Sequence, residues 1–439
     1  MISGLSTNTD TIFAAATAPG RAAIAVVRIS GSQTPHVLRQ MAGRLTPPRQ
    51  AALRKIRRPD GSLLDECLVI RFPHGGSYTG EAAAELHVHG GRATMSAVLE
   101  TLAGFPGMRP ARPGEFTLRA LLAGRMDLAQ VEGLADLVDA ETEAQRRQAQ
   151  RQFGGAVGQQ AARWKRQLTR SLALLETELE FSEEDIPLDL SQRASAELYA
   201  LRDELKVELR GVATAERLRE GFEVAIVGRP NIGKSTLLNC LAGREAAITS
   251  SIAGTTRDVV EVRMDLHGLP VTLLDTAGLR DSADPIETIG VERTVARARN
   301  SDLRVFLTGS SPAGGGRLEP ASGDIVLHGK CDLGNPGPHA GVSGKTGEGV
   351  DAMIERIVNV LENRLARVAT MTNIRHRKAL ETAVEALEAA EGALASAAFG
   401  AEICSEEIRN AVKSLDSLTG TVDIEHVLDE IFASFCIGK

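Results

Sequence analysis

Over residues 1–120, apolar residues alternate with polar ones in short runs that glycine and proline interrupt. Ala22–Arg28, Cys67–Phe72 and Glu85–His89 have this alternating or β-rich character, which is typical of strands with one buried face. Because the runs are short and closely spaced, we expect them to form a compact α/β domain.

Residues 121–215 follow a different pattern and are rich in alanine, leucine, glutamine and glutamate. Apolar side chains recur there at helical spacing in two stripes: Trp164, Leu168, Leu172, Leu175 and Leu179, then Leu198, Leu201, Leu205 and Leu209. A third stripe lies in residues 371–439: Leu380, Val384, Leu387 and Leu394. This period predicts long amphipathic helices, and we expect the late helices to pack with the early ones.

Between the helical segments, residues 216–370 alternate short apolar runs with helix-like runs. The predicted strands are Phe222–Val227, Val271–Leu274, Leu303–Leu307 and Asp324–Leu327. Strands that alternate with helices form a mainly parallel, doubly wound sheet. The sequence thus predicts a multidomain protein: an N-terminal α/β domain (1–120), a long-helix bundle domain (121–215 and 371–439) and an α/β domain (216–370) inserted within it.

Composition places the chain among ordinary globular proteins. Its 439 residues are 43% hydrophobic and 24% charged, and no apolar run reaches the roughly 20 residues needed to cross a bilayer. Since the N-terminus also lacks a signal-peptide pattern, we expect a cytoplasmic protein without a membrane segment. A net charge of -7 argues against broad, nonspecific nucleic-acid binding.

Candidate chemistry begins at Gly228–Ser235, which lies between the predicted strand and the helix-like run Thr236–Leu241. Its Gly-x-x-x-x-Gly-Lys-Ser pattern, in a strand-loop-helix context, is typical of a phosphate-binding loop. Backbone N–H groups and the helix N-terminus form an anion cradle, Lys234 reaches the terminal phosphates, and the Ser235 hydroxyl can ligate Mg²⁺. The chain is therefore expected to bind a nucleoside triphosphate.

Two further motifs indicate a Ras-like P-loop GTPase domain. Gly254–Asp258 offers a threonine that can complete Mg²⁺ coordination when a γ-phosphate is present, and Asp275–Gly278 follows an apolar strand. There the Asp275 carboxylate can hold a Mg²⁺-bound water, while the Gly278 N–H senses the γ-phosphate. The order and spacing of these motifs match a GTPase rather than a generic ATPase, so GTP is the predicted substrate.

We expect Gly329–Asp332 and Ser343–Lys345 to recognise the base. The Asp332 carboxylate can accept hydrogen bonds from guanine N1–H and the N2 amino group, which adenine cannot offer. GTPases of this class carry asparagine where this chain has Gly329, and its loss is expected to cost about 1 kcal/mol of affinity. Restoring asparagine at this position is therefore expected to tighten GDP binding.

Hydrolysis requires a group that orients water, and Leu279 stands where Ras-type GTPases place a glutamine. Glu287 is the best carboxylate candidate, although a solvated glutamate at a helix start explains the residue equally well. Asn231 in the phosphate loop could ligate a monovalent cation against the β- and γ-phosphates, in place of an arginine finger.

Several motifs together resemble the MnmE (TrmE) family of tRNA-modification GTPases along the whole chain. They are the phosphate loop, Ile252–Asp258, Asp275–Arg280 and, most specifically, the terminal Phe435–Lys439. The N-terminal motifs similar to the family's first domain are Asp10–Ile12, Ala16–Arg21, Thr79–Glu81 and Ala111–Phe116. The resemblance implies that residues 1–120 bind a tetrahydrofolate derivative and mediate dimerisation.

For the nucleotide site, the resemblance implies a homodimer whose GTPase domains meet when GTP and K⁺ are bound. Glu287 matches the family's water-orienting carboxylate and joins Lys234 and Asp275 as a catalytic residue. The implied metal ligands are Ser235 and Thr256 for Mg²⁺, and Asn231, Ser250, Ile252 and Thr255 for K⁺. The predicted GTP-binding residues are Asn231, Ile232, Gly233, Lys234, Ser235, Thr236, Ser250, Ser251, Ile252, Ala253, Gly254, Thr255, Thr256, Asp275, Thr276, Ala277, Gly278, Lys330, Asp332, Ser343, Gly344 and Lys345.

The implied folate-binding residues are Arg28, Glu85, Arg125 and Lys439. Basic side chains suit the folate carboxylate and Glu85 suits the donors of the pterin edge. The expected derivative is a 5-formyl or 5,10-methylene tetrahydrofolate. Cys436 would lie near the one-carbon donor, and a buried structural thiol is the alternative interpretation.

The implied reaction forms a 5-carboxymethylaminomethyl or aminomethyl group at the wobble uridine of certain tRNAs. The family acts with an MnmG-type flavoprotein, in a heterotetramer or larger complex. No GxGxxG fingerprint follows a predicted strand in this chain, so the FAD is assigned to the partner.

Three functions remain open from the sequence. The first is a GTPase in tRNA modification. The second is a ribosome-assembly GTPase that acts as an RNA-binding switch, although the sequence after residue 370 is helical rather than an RNA-binding module. The third is a folate-binding regulator with a vestigial GTPase, which only Gly329 suggests.

Overall fold

The computed structural model describes residues 10–180, 190–244, 246–248, 261–275, 295–309, 318–334, 339–365, 369–395, 400–420, 428, 431–432, 435 and 438. The strands are β1 (Thr11–Ala15), β2 (Ala22–Ser30), β3 (Ala52–Arg57), β4 (Leu63–Phe72), β5 (Ala83–Gly90), β6 (Met108–Pro110), β7 (Phe222–Gly228), β8 (Glu261–Leu266), β9 (Leu269–Asp275), β10 (Leu303–Thr308), β11 (Ile325–Gly329) and β12 (Gly341–Val342). The helices are α1 (Thr34–Ala42), α2 (Arg92–Ala103), α3 (Glu115–Leu122), α4 (Leu128–Asp139), α5 (Glu143–Phe153), α6 (Ala156–Glu180), α7 (Leu190–Glu220), α8 (Lys234–Ala242), α9 (Val350–Leu365), α10 (Ile374–Leu394) and α11 (Gly400–Thr419).

These elements confirm the predicted fold class: an N-terminal α/β part, long helices, and an α/β part inserted between helices. The chain divides into two compact units. The first comprises Met1–Ala135, Val157–Ala162 and Leu415–Lys439, and the second comprises Asp136–Ala156 and Arg163–Ser414. The domain boundaries after residues 120, 215 and 370 stay predictions.

The first unit is built on a six-stranded sheet in the order β3-β4-β5-β2-β1-β6. Neighbouring strands are antiparallel, except that β1 and β6 are parallel. One face of the sheet buries Val27, Leu86 and Val88 against Leu38 of α1 and Leu102 of α2. The alternating runs near Val27 and Leu86 were therefore correctly interpreted as strands with one buried face.

The opposite face of this sheet is only partly covered. Phe116 of α3 packs on Ile12 and Ala14 of β1 and covers this face of the sheet at β1. Toward β3 and β4 the same kind of cover is missing among the described residues, and Leu53 and Leu68 are 58% and 41% exposed. Two leucines are thus exposed on the outer strands of the N-terminal sheet, beside the charged pair Lys55 and Glu66.

A buried ion-pair network ties α3 to the first sheet. Glu115, 2% exposed, accepts hydrogen bonds at 2.8 and 2.6 Å from Arg109 and at 3.1 Å from Arg119. Arg119 also donates at 3.0 Å to both carboxylate oxygens of Glu81, which in turn accepts from Ser30 at 2.6 Å. Although burial by itself raises the pKa of the Glu115 carboxyl, the hydrogen bonds and charge of Arg109, the Arg112 N–H and Arg119 hold that pKa below its ordinary value.

In the second unit, the helical part confirms the predicted stripes. Trp164, Leu168 and Leu175 of α6 are fully buried, and α7 runs for 31 residues to the start of the inserted α/β part. The Trp164 indole donates a hydrogen bond of 2.8 Å to Glu204 of α7. Along the described part of the chain, no helix combines the length and apolar character needed to span a bilayer.

The inserted α/β part has a six-stranded sheet in the order β12-β11-β10-β7-β9-β8. All neighbours are parallel except β8 and β9, so the mainly parallel sheet is confirmed. Sequence patterning missed β8, although Glu261–Leu266 alternates charged and apolar residues as a strand with one buried face does. The carboxyl ends of β7, β9, β10 and β11 meet at one edge, where ligands bind in folds of this type.

We predict that Glu115→Gln destabilises the first unit by about 3 kcal/mol at neutral pH, because it leaves two arginines without their buried carboxylate. A carboxyl whose pKa is lowered on folding stabilises the fold above its ordinary pKa, and this contribution is lost as the pH falls through the folded-state pKa. The difference in free energy of unfolding between wild type and variant should therefore narrow as the pH falls below 4.5, the ordinary pKa of a glutamate. Calorimetric unfolding from about pH 7 to about pH 3 measures this gap.

Glu66→Gln is the matched control, since Glu66 is an exposed carboxylate on β4. It should change the free energy of unfolding by no more than about 0.5 kcal/mol. A gap for Glu115→Gln that stays constant down to acid pH would contradict the role given to the network.

Candidate functional site

The phosphate loop joins β7 to α8. Asn231 and Gly233 adopt left-handed backbone conformations, with φ of 59° and 109°, which turn the chain so that α8 begins at Lys234. The Lys234 side chain is 6% exposed, and its Nζ donates hydrogen bonds to the carbonyls of Gly228 (2.8 Å) and Arg229 (3.1 Å). An ammonium group therefore lies within the loop, beside the helix N-terminus that attracts phosphate.

Beside this loop, a hydroxyl and a carboxylate lie together in an arrangement suited to Mg²⁺. Ser235 donates a hydrogen bond of 2.9 Å from Oγ to Oδ2 of Asp275, at the end of β9. Asp275 is 4% exposed, and its Oδ1 is a buried oxygen without a hydrogen-bond partner among the described residues. A hydroxyl and a carboxylate with one unsatisfied oxygen are hard donors of the kind that Mg²⁺ and its bound waters require.

A cavity of about 230 Å³ lies next to the loop, on the side of β11. Its lining includes the predicted base-recognition residues and the predicted phosphate-loop residues: Ile232, Gly233, Thr236, Lys330, Asp332, Ser343, Gly344 and Lys345. Asp332 Oδ1 accepts a 2.6 Å hydrogen bond from Ser343 Oγ, which itself accepts from the Lys345 N–H at 3.2 Å. The structure thus brings together two segments that the sequence assigned to the base.

Two close approaches set the shape of this cavity. A Cβ added at Gly344 would lie 2.5 Å from the backbone nitrogen of Leu237, so the segment after β12 rests directly on α8. A Cβ added at Gly329 would lie 2.8 Å from the carbonyl oxygen of Ile232 in the phosphate loop. Asparagine at position 329 would therefore require the loop to move, a cost that sequence analysis did not include.

A second cavity, of about 280 Å³, opens on the partly covered face of the first sheet. Arg28 and Glu85, both predicted for folate, line it and are paired through hydrogen bonds of 3.2 and 3.0 Å to Glu85 Oε1. Arg125 is not among the lining residues; it lies beside Gly80, which follows the lining Thr79, since a Cβ on Gly80 would be 3.8 Å from the Arg125 Cγ. The carbonyl of Gly438 is 3.5 Å from Arg28 Nη1, which places part of the terminal motif beside this cavity.

Sequence analysis missed the residues that hold Arg28 in place. Its guanidinium lies over the rings of Tyr78 and Phe116, at 5.5 and 5.8 Å from their centroids, where cation–π attraction orients it. Thr79–Glu81 and Ala111–Phe116 were singled out only through the family resemblance. Tyr78 directly precedes the first of these motifs and Phe116 ends the second, and nothing in their spacing indicates that the two rings flank Arg28.

Several predicted site residues lie outside the described residues. They are the candidate water-orienting Glu287; Ser250, Ser251, Ile252, Ala253, Gly254, Thr255 and Thr256; Thr276, Ala277 and Gly278; and Cys436 and Lys439. Asn231 is thus the only predicted K⁺ ligand within the described part, and Ser235 the only predicted Mg²⁺ ligand.

Two family models match the chain, and together they span most of its length. The model for the MnmE helical domain matches residues 128–436, and the model for the GTP-binding protein TrmE N-terminus matches residues 11–125. The chain is 54% identical over 432 residues to the tRNA modification GTPase MnmE of Cereibacter sphaeroides (strain ATCC 17029 / ATH 2.4.9), covering 98% of this chain and 100% of the relative. The chain belongs to the MnmE family.

Other MnmE relatives are similar over the same length. The proteins of Roseobacter denitrificans and Parvibaculum lavamentivorans, both named tRNA modification GTPase MnmE, are 50% and 48% identical, over 98% of this chain and 100% of each relative. Among solved structures, Aquifex aeolicus Era bound to GDP·AlF4⁻ shares 23% identity with a TM-score of 0.26, covering 37% of this chain and 66% of that chain. The G domain of the T. maritima FeoB iron transporter shares 22% identity with a TM-score of 0.23, covering 32% and 98%.

We predict that Asp332→Asn weakens GDP binding by about 100-fold or more, because an amide cannot accept both guanine hydrogen bonds at a charged oxygen. Xanthine carries a carbonyl where guanine has its amino group, so the new amide should bind xanthosine diphosphate better than the wild-type carboxylate does. Titration with the two fluorescent diphosphates measures both affinities.

Asp351→Asn provides the control, because Asp351 is an 85% exposed aspartate in the same α/β part. It should leave both affinities unchanged. Unaltered GDP binding by Asp332→Asn would remove Asp332 from the base site.

Proposed function

We propose that this MnmE-family chain is a K⁺-dependent GTPase that modifies the wobble uridine of certain tRNAs. With a flavin-containing partner, it forms a 5-carboxymethylaminomethyl or aminomethyl group there, using the one-carbon unit of a tetrahydrofolate derivative. The observation that carries the proposal is the contact of the C-terminal Gly438 with Arg28. It supports a second small-molecule site in a chain whose other unit has a nucleotide site.

In the nucleotide site, the chain's own residues bind and orient the triphosphate. Lys234 exchanges two loop carbonyls for phosphate oxygens, and the N–H groups at the start of α8 complete the cradle. Ser235 and Thr256 would hold Mg²⁺ together with Asp275, and the ion would supply positive charge near the phosphates. Asn231 belongs to the proposed K⁺ site with Ser250, Ile252 and Thr255, and Glu287 is the proposed group that orients water.

In the first unit, the cavity at Arg28 has the chemistry of a pterin site. Its volume of about 280 Å³ is near the lower end of small-molecule sites, roughly 300 Å³, so it suits a ring system better than a whole folate. The Glu85 carboxylate can accept from the donors of a pterin edge, while Arg28, Arg125 and Lys439 are the proposed partners for anionic groups. Cys436 is proposed to lie near the one-carbon donor.

A homodimer would cover Leu53 and Leu68, which are exposed on the outer strands of the first sheet. Leu53 is paired across strands with Leu68, Leu68 with His87, and His87 with Val26, so these side chains form one row on the face that carries the Arg28 cavity. A second copy packed against this row would cover it and shield the neighbouring cavity from water. The remaining partners proposed are the MnmG-type flavoprotein, which would carry the FAD in a heterotetramer or larger complex, and tRNA, all in the cytoplasm.

We predict that GTP turnover is at least about tenfold faster in K⁺ than in Na⁺ at equal concentration, because a cation of fitting size adds charge at the transition state. Glu287→Ala should keep the affinity for GTP while slowing hydrolysis by about 100-fold or more. Phosphate release in each salt measures the rates.

The control is Glu355→Ala, because Glu355 is a 58% exposed glutamate on α9; its rate should equal that of wild type. An unchanged rate for Glu287→Ala would remove that residue from the mechanism. Equal and negligible rates in both salts would favour the folate-binding regulator instead.

We predict that tRNA from a strain lacking this chain loses the wobble-uridine modification and accumulates an unmodified or partly modified uridine. The wild-type gene should restore the modification, whereas Arg28→Ala should not, because it removes the cation that pairs with Glu85. Arg39→Ala, at an exposed arginine of α1, should restore it. Mass spectrometry of tRNA nucleosides measures the modification state of the wobble uridine in each strain. Full modification in the deletion strain would overturn the proposal.

A further inference from the structure

The side chain of Ile232 in the phosphate loop lies against three glycines at the carboxyl ends of adjacent parallel strands. A Cβ added at Gly228, at the end of β7, would be 3.0 Å from its Cγ2. A Cβ at Gly309, just after β10, would be 3.1 Å from its Cδ1, and a Cβ at Gly329, the last residue of β11, would be 3.3 Å from its Cγ1. A Cβ at any of the three positions would come closer than ordinary van der Waals contact, so Ile232 occupies the space that a side chain there would need and fills this three-glycine socket.

The socket lies between the two ends of the nucleotide site. Ile232 precedes the residues that receive the phosphates, whereas Gly329 directly precedes Lys330 and the base-recognising Asp332. Residue 329 has no side chain that could donate a hydrogen bond to the loop. In its place the Ile232 carbonyl oxygen approaches so closely that a Cβ at 329 would stand 2.8 Å away.

Side-chain packing can fix the distance between the phosphate loop and the end of β11 as well as a hydrogen bond can. Ile232 is partly buried and packs against the main apolar cluster of the α/β part, and isoleucine is stiff because its Cβ is branched. A stiff side chain held on three sides leaves the loop little freedom to move along β11. The distance from the phosphate cradle to Asp332 is then set by apolar contact.

We propose that Ile232 is a positioning residue that couples the phosphate loop to the guanine-recognition segment, in the role that an asparagine at position 329 would otherwise fill. The inference rests on the guanine preference of the proposed function. Gly329 is, in this view, a fitted part of the nucleotide site and no sign of a vestigial GTPase.

The test measures dissociation constants of GDP and inosine diphosphate for the full chain and for Ile232→Ala and Ile232→Val. Inosine lacks the amino group that Asp332 accepts from, so wild type should prefer GDP by about 10- to 100-fold. Ile232→Ala should weaken GDP binding by about tenfold and reduce the preference by about threefold or more, because Asp332 no longer holds its distance from the phosphates. Ile232→Val keeps both Cγ atoms, so its GDP affinity and its preference for GDP should lie between those of wild type and Ile232→Ala.

Ile357→Ala is the control for general loss of packing. Ile357 on α9 is 1% exposed in the same apolar cluster, and its truncation should lower stability without changing the preference for GDP. An Ile232→Ala protein with the wild-type preference, or with the same behaviour as this control, overturns the proposal. A wild-type chain with no preference for GDP over inosine and adenosine diphosphates would instead refute the guanine specificity on which it rests.

Substitutions at position 329 provide an independent test of the proposal. Gly329→Ala should weaken GDP binding, because the new Cβ must displace the loop, and Gly329→Asn should not tighten it. In the double variant Ile232→Ala with Gly329→Ala, the combined loss should be smaller than the product of the single losses, since both changes disturb the same contact between the loop and β11. Tighter GDP binding by Gly329→Asn, or fully multiplicative losses, would show that the loop and β11 are not coupled through Ile232.

Discussion

The proposed nucleotide site depends on the close approach of backbone to backbone at the carboxyl edge of the parallel sheet. The phosphate loop lies on the end of β11 at Gly329, and the segment with Ser343 and Lys345 lies on α8 at Gly344. Hydrogen bonds to phosphate and base need donors placed within a few tenths of an ångström, which flexible side chains alone do not provide. Backbone contact supplies this precision, and the cavity between the two segments follows from it.

In the N-terminal unit, the groups around the cavity are held in place by charged side chains instead of backbone contacts. Here charged side chains pair in buried or half-buried positions: Glu115 lies between Arg109 and Arg119, and the half-buried Arg28 lies between Glu85 and two aromatic rings. Buried charges are costly unless each is neutralised and hydrogen-bonded, so these residues fix one another's positions. The cavity beside Arg28 is thus walled by groups with little rotational freedom, which suits a site that orients a ring.

Much of the candidate nucleotide site could be predicted from sequence, because the information was local, whereas the residues around Arg28 were expected only from the family resemblance. The loop around Lys234, the strand before Asp275 and the segment around Asp332 each combine a motif with a strand pattern, and the structure brings them together. The three-glycine socket could not be predicted, since Gly228, Gly309 and Gly329 are far apart in sequence and meet only when parallel strands align. The absence of asparagine at position 329 looked like a loss for the same reason: the contact that replaces it is tertiary.

The single tryptophan of the chain, Trp164, has its indole buried in the helical part and hydrogen-bonded to Glu204. The α/β part with the phosphate loop contains no indole of its own. Intrinsic emission at tryptophan wavelengths therefore originates from one helical contact, whatever fills the nucleotide pocket. If adding a guanine nucleotide alters that emission, the helices around α6 and α7 have responded to an event in the inserted sheet, and the natural sequence needs no added label to reveal it.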